Sequence, residues 1–182
     1  YRYNAMQEIL SKQDIEKKIN RLAFQLLENC FEEKNLFLGG IVGNGIVIAN
    51  RIAKIIQNNS DVNVVVFEIK INKSEPWAEK TVLTANKEDL KNGYIVLIDD
   101  VLNSGKTMQY ALIEVLQFPT KAIKTLTLVD RTHRRFPIKA DFVGMERMYF
   151  PNCDFSNFSL SDKQQIEADI QKVEDILKIM QF

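Results

Sequence analysis

Tyr94-Ile95-Val96-Leu97-Ile98-Asp99-Asp100-Val101-Leu102-Asn103-Ser104-Gly105-Lys106-Thr107-Met108 runs from an apolar strand through two adjacent carboxylates into a glycine turn and a helix. Ile95 to Ile98 form a continuous apolar run behind Gly93, as expected of a strand covered on both faces of a parallel sheet. Asp99 and Asp100 then emerge at its carboxyl end. Ser104 or Asn103 is placed to cap the helix that follows, and Gly105 lets the chain turn so that several amide N–H groups converge on one anion. Amides suit a phosphate, while carboxylates suit ribose hydroxyls or a Mg²⁺ bound near them. The stretch reads as a grip for a phosphorylated sugar.

Two other phosphate motifs are tested by counting. A Walker A loop needs a glycine five residues before its Gly-Lys-Thr, but Asp100 stands there and would put a carboxylate among the phosphates. Around Gly43-Asn44-Gly45 a dinucleotide fingerprint finds two glycines, yet Ile48 occupies the place of the third. Glu68, near the end of the next expected strand, keeps this alternative open as a mimic of the ribose-binding acid.

The segment from Val96 to Thr107 resembles the signature of the type I phosphoribosyltransferases: a hydrophobic strand, two acids, two mostly apolar positions and a short Thr/Ser-Gly-x-Thr loop. The resemblance implies an α/β fold, a twisted and mainly parallel sheet with helices on both faces, plus a small hood and a C-terminal helix. It also implies binding of phosphoribosyl pyrophosphate by Asp99, Asp100, Val101, Asn103, Ser104, Gly105, Lys106 and Thr107. Asp99 and Asp100 become the catalytic acids, and hold the Mg²⁺ cofactor through ribose or water. Val42, Gly43 and Asn44 fall at the pyrophosphate loop.

A second block, Val129-Asp130-Arg131-Thr132-His133-Arg134-Arg135-Phe136-Pro137-Ile138-Lys139-Ala140-Asp141-Phe142-Val143-Gly144, resembles the bifunctional pyrimidine-operon attenuation regulators that have uracil phosphoribosyltransferase activity. The similarity covers most of positions 9 to 144. It implies a base site at Asp130, Arg131, Phe142 and Val143. The 6-oxopurine enzymes carry an Asp, the base for purine N7, where this chain has Asn103, so uracil is favoured as acceptor. The plain alternative for Arg131, Arg134 and Arg135 is a solvated loop.

The chain departs from those regulators where charge matters. Their pyrophosphate loop contains Lys-Thr-Arg-Gly, whereas Val42-Gly43-Asn44-Gly45 has no cation, leaving backbone amides or Lys70, Lys73 and Lys80 to meet the anion. Rebuilding the loop as Gly43→Thr with Asn44→Arg is expected to raise turnover. The leading reading is transfer of 5-phosphoribosyl to a nucleobase. The other is a non-catalytic sensor of phosphoribosyl pyrophosphate or a nucleoside monophosphate, with RNA contact through Arg131, Arg134, Arg135 and Lys139 less favoured.

Lys plus Arg and Asp plus Glu both total 24, so no global field draws this 182-residue, 46% hydrophobic chain to nucleic acid or membrane. One core is expected, a single domain over 1–182. Cys30, Cys153 and the lone His133 lack metal-ligand spacing, and no stretch is apolar enough to span a membrane. A cytoplasmic protein with reduced thiols is the resulting expectation. Ser11 and Asp14 open a helix reaching about Phe31; strands follow at 36–42, 62–69, 94–98, 123–129 and 142–144, with helices at 46–56 and 104–117. The polar segment 70–93 is the longest expected loop, flexible and poised over the site. From Ser161, capped with Gln164, a last helix over 161–182 places Ile166, Ile170, Val173, Leu177 and Met180 in a seam. That seam packs on its own domain by default; its heptad-like spacing also suits a helix pair, and a homodimer is expected.

Overall fold

The computed structural model describes residues 11–146 and 160–180. Its elements are α1 (Lys12–Cys30), β1 (Asn35–Ile41), α2 (Asn44–Asn59), β2 (Asn63–Lys70), β3 (Val82–Leu83), α3 (Lys87–Leu90), β4 (Tyr94–Leu102), α4 (Lys106–Val115), β5 (Ala122–Asp130), β6 (Phe142–Glu146) and α5 (Leu160–Ile179). They form a six-stranded sheet in the order β3-β2-β1-β4-β5-β6. Every pairing is parallel except that of β2 with β3.

The register places Leu36 beside Val64 on one side and Tyr94 on the other, while Ile98 sits beside Gly40 and Leu126. β4 is thus central, and all nine of its residues are buried. The continuous apolar run is the consequence of helices on both faces. One face carries α1, α2 and α5, where Ile15, Ile19, Leu22 and Leu26 meet Ile48, Ile52 and Ile56. The other carries Leu90 of α3 and Met108, Ala111 and Val115 of α4. At the start of α1, Ser11 and Asp14 close the expected capping box.

β4 does not stop at Ile98: Asp99 and Asp100 lie inside the strand, which continues to Leu102. The segment expected as one long loop over 70–93 contains β3 and α3, leaving 71–81 as the stretch without regular elements. β3 closes the sheet edge by antiparallel pairing of Ile69 with Leu83 and Lys70 with Val82. This removes the dinucleotide alternative, which needs a helical crossover to a parallel third strand at that edge.

The seam of α5 is used within the chain. Val173, Leu177 and Met180 are buried in the core on the face that α1 and α2 share, α5 packing against α2, with Ile170 packed at its margin. A helix pair through these residues is therefore not available to a second subunit. Ile166 lies outside the described side chains, and α5 is already helical at Leu160, one residue ahead of the expected cap Ser161. Leu177→Ala should lower stability by about 2 to 5 kcal/mol, the usual cost of a buried Leu truncation. Denaturant melts should show that loss equally at low and high protein concentration; a loss confined to dilute samples would mean Leu177 packs between chains.

Candidate active site

The carboxyl end of β4, the turn 103–105 and the first turn of α4 line one cleft of about 270 Å³, which also receives Lys73 and Glu174. A cleft of that size is near the lower limit for small-ligand sites. Asp99 and Asp100 are both nearly buried. Each carboxylate accepts from the backbone N–H of the next residue, Asp99 Oδ1 from Asp100 at 2.9 Å and Asp100 Oδ1 from Val101 at 2.8 Å. The Asn44 side-chain amide donates to Asp100 Oδ2 at 2.9 Å, and Thr127 Oγ1 donates to the Asp100 carbonyl at 3.1 Å.

Burial and the adjacent Asp100 carboxylate push Asp99 up to about 7, against the opposing pull of Lys73. Lys73 Nζ donates to Asp99 Oδ1 at 3.1 Å and stands 4.0 Å from Asp100 Oδ1. Burial alone would lower the Lys73 ammonium, but the two aspartates overcome it and hold the group above its ordinary value. Segment 71–81 is thereby tied to the acid pair. A second tie runs from Lys106, whose ammonium donates to the Ser74 carbonyl at 3.1 Å and stands 5.2 Å from the centre of the Trp77 ring.

Gly105 caps α4 in the left-handed conformation, φ 86°, without a side-chain cap. Neither Ser104 nor Asn103 takes that position. Ser104 Oγ instead accepts from the Lys106 N–H at 3.3 Å, one residue inside the helix. The first backbone return is from Gln109 N–H to the Gly105 carbonyl at 2.9 Å, so the first-turn amides of α4 face the cleft that Lys106, Thr107 and Met108 line.

The turn is braced by the segment after β5. Arg135 and Phe136 N–H groups donate to the Ser104 carbonyl at 2.9 and 3.0 Å, and the Arg131 N–H to the Leu102 carbonyl at 3.0 Å. Arg134 is the central tie: it reaches the Ile138 carbonyl at 2.8 Å, the Asn103 carbonyl at 3.3 Å and Asp130 Oδ2 at 2.5 Å. It is held by these bonds and is not part of a solvated loop. Sequence reading missed this brace, although the four-residue spacing from Asp130 hinted at it.

The residues assigned to pyrophosphate and base do not line the same cleft. Gly43 has φ 94° and Asn44 is buried on Asp100. The rebuilt loop Gly43→Thr with Asn44→Arg is thus overturned as an improvement. A β-branched residue is strained at that φ, and an arginine would remove the buried hydrogen bond from the Asn44 amide to Asp100 and bring a charge into a covered position. Asp130 pairs with Arg134 rather than Arg131, whose guanidinium donates to Asn103 Oδ1 at 3.1 Å. Phe142 is buried within β6, and the Val143 and Gly144 carbonyls accept from Arg21 of α1. Of the three lysines considered for the anion, Lys73 alone lines the cleft.

Glu174 of α5 went unnoticed in the sequence, where it is one acid among several on an amphipathic helix. Its carboxyl is held above the usual range by burial and then by Asp100. Among the described residues, no three His, Cys, Asp or Glu side chains are grouped to hold a metal ion, and no helix is long and apolar enough to cross a membrane.

Known proteins share both sequence and fold with this chain. The phosphoribosyl transferase domain family matches residues 5–157. The bifunctional protein PyrR of Clostridium novyi is 31% identical over 182 residues, covering 95% of this chain and 96% of that one. PyrR of Pediococcus pentosaceus is 29% identical over 177 residues, covering 92% and 94%. Among solved structures, a hypoxanthine phosphoribosyltransferase of Trypanosoma cruzi superposes with a TM-score of 0.66 at 16% identity, covering 84% of this chain and 90% of that one. A hypoxanthine-guanine phosphoribosyltransferase of Bacillus anthracis gives 0.66 at 20% identity, covering 79% and 83%. At those identities the superpositions speak for the fold; the sequence match across most of the chain carries the further conclusion that it belongs to the phosphoribosyltransferase family.

Proposed function

We propose that the cleft binds phosphoribosyl pyrophosphate and that the protein transfers its 5-phosphoribosyl group to a nucleobase, with uracil favoured. The observation that carries this reading is the meeting of two buried carboxylates with the first-turn amides of α4 in one cleft. The amides and Ser104 to Thr107 hold the 5′-phosphate. Asp99 and Asp100 accept from the ribose hydroxyls and face the positive charge that develops on the ring. In the reaction a base nitrogen forms a bond to C1 as the bond from C1 to the pyrophosphate oxygen breaks, so the electron pair leaves with pyrophosphate and the proton carried by that nitrogen passes to solvent.

The acid pair fits a Mg²⁺ held jointly with the ligand, since carboxylate oxygens are the hard donors that ion prefers and two of them call for phosphate oxygens and water to complete the shell. Mg²⁺ bound there supplies charge neutralisation for the departing pyrophosphate. Lys73, released from Asp99 when the ribose arrives, is the side chain of segment 71–81 placed to follow that charge. Asn103, oriented by Arg131, would offer an approaching base an amide rather than an acid, which supports uracil over a 6-oxopurine as acceptor.

A second reading, a regulator that binds the ribose phosphate without turnover, is favoured by one observation: the turn after β1 has no cation, and its Asn44 is committed to Asp100. The PyrR relatives keep both readings in view. A panel of radiolabelled bases with phosphoribosyl pyrophosphate, with and without Mg²⁺, separates them. Transfer is expected with uracil and only with Mg²⁺. Tight binding of the ribose phosphate with no labelled nucleotide from any base would leave the regulator.

A further inference from the structure

We infer that Glu174 of α5 sets ligand preference in the cleft, making it take a nucleoside 5′-monophosphate ahead of the pyrophosphate-bearing sugar. The inference rests on the ribose-phosphate reading of the site and adds to it a residue from the opposite end of the chain.

Anomeric chemistry divides the two ligands. The base of a β-nucleotide and the pyrophosphate of the α-configured donor leave C1 on opposite faces of the ribose. The sheet divides the site in the same way, because β4 with its acid pair lies between β1 and β5. On the β5 side, Arg131 stands against Asn103. On the β1 side are Asn44, bonded to Asp100, and Lys73, brought by the segment that follows β2. α5 belongs to the β1 side too, since it packs on α2, which begins at the Val42 to Asn44 turn.

Glu174 therefore lines the cleft on the side where a pyrophosphate would project. There it joins two aspartates, while in the ligand-free protein Lys73 is paired with Asp99, Lys106 is bonded to the Ser74 carbonyl, and Lys178, one turn along α5, is paired with Asp175. The proton affinity of Glu174 is raised first by burial and then by the Asp100 carboxylate, against the pull of Lys178 and Lys73. It is no metal ligand alongside the pair, for no group of three such side chains converges among the described residues. Nor is the helix free to turn the carboxylate away, because Val173 and Leu177, one residue before and three after, are locked in the core. A base, being neutral, escapes this field; a pyrophosphate does not.

Calorimetry tests the idea with uridine 5′-monophosphate and phosphoribosyl pyrophosphate, each with Mg²⁺, on the whole protein and on Glu174→Gln and Glu174→Ala. Asp175→Asn, exposed on the same helix, controls for net charge. Wild type should bind the monophosphate at least about tenfold more tightly. Either Glu174 variant should tighten phosphoribosyl pyrophosphate about tenfold and the monophosphate less than about twofold, as expected for one unscreened neighbouring charge in a partly buried site. Equal tightening of both ligands, no change in either, or the same gain from Asp175→Asn overturns the inference. A wild type that binds neither ligand overturns the ribose-phosphate reading itself, and this inference with it.

Discussion

Replacing both Asp99 and Asp100 by Asn should abolish Mg²⁺-dependent binding of phosphoribosyl pyrophosphate while making the ligand-free protein more stable. Two charged hydrogen bonds to ribose hydroxyls are worth about 1.5 to 3 kcal/mol each, so the affinity should fall by roughly 10² to 10⁴. The stability gain follows from the proton on Asp99. Its folded value of about 7 lies above the ordinary 3.8. Between those values the folded state holds a proton that the unfolded chain has released, so stability declines as pH rises from about 4 to about 7 and the deficit is complete above that window. A shift of this size corresponds to something on the order of 4 kcal/mol. Urea melts at pH 5 and pH 8 should show wild type losing stability between them, and the Asn pair losing much less. Unchanged ligand affinity in the double variant would remove these residues from the site; parallel pH dependence would mean that the buried repulsion is not there.

Gly105→Ala is expected to disable the phosphate turn. The residue sits at φ 86°, and an added Cβ would come within 2.5 Å of Ile138 Cγ2. A left-handed alanine costs about 1 to 2 kcal/mol before any clash. Relief by backbone movement would pull the turn from the Arg135 and Phe136 amides that hold the Ser104 carbonyl. Ribose 5-phosphate affinity should drop about 100-fold, a loss of roughly 2.7 kcal/mol. Ile138→Ala in the same background removes the clashing carbon. The pair should then cost less than the sum of its parts by at least about 1 kcal/mol. Strict additivity would show that the turn tolerates a side chain and that the brace from 131–138 is not what shapes it.

What could be read from the sequence, and what could not, follows the range of the interactions involved. β4, α1 and the doubly covered sheet were legible because apolar periodicity and a capping box are local signals that reflect burial directly. The glycine turn before α4 was legible for the same reason, although its cap was assigned to the wrong residue: an open helix start lined by amides has no side-chain signature. Segment 70–93 was misjudged because β3 has two residues and α3 four, too short for any period to emerge. The seam of α5 was readable as apolar, yet spacing alone does not say whether the covering surface belongs to the same chain. Lys73 and Glu174 meet the acid pair from sequence distances that no motif spans. The pairing of Arg134 with Asp130 was not foreseen, because which of several nearby guanidiniums reaches that carboxylate depends on how the chain turns after β5.

The position of β4 in the middle of the sheet also has a consequence for how the chain is made. β1 is complete at Ile41, but the neighbour it needs on its inner side ends at Leu102, about sixty residues later. At synthesis rates of about 5 to 20 residues per second, that partner follows β1 by roughly 3 to 12 seconds. During this interval Leu36, Phe37 and Leu38 belong to a strand with an unfilled edge, the kind of surface on which nascent chains aggregate. The central strand that carries the acid pair is thus also the closing piece for β1, and newly made protein is most exposed to misassembly before Asp99 and Asp100 have been added.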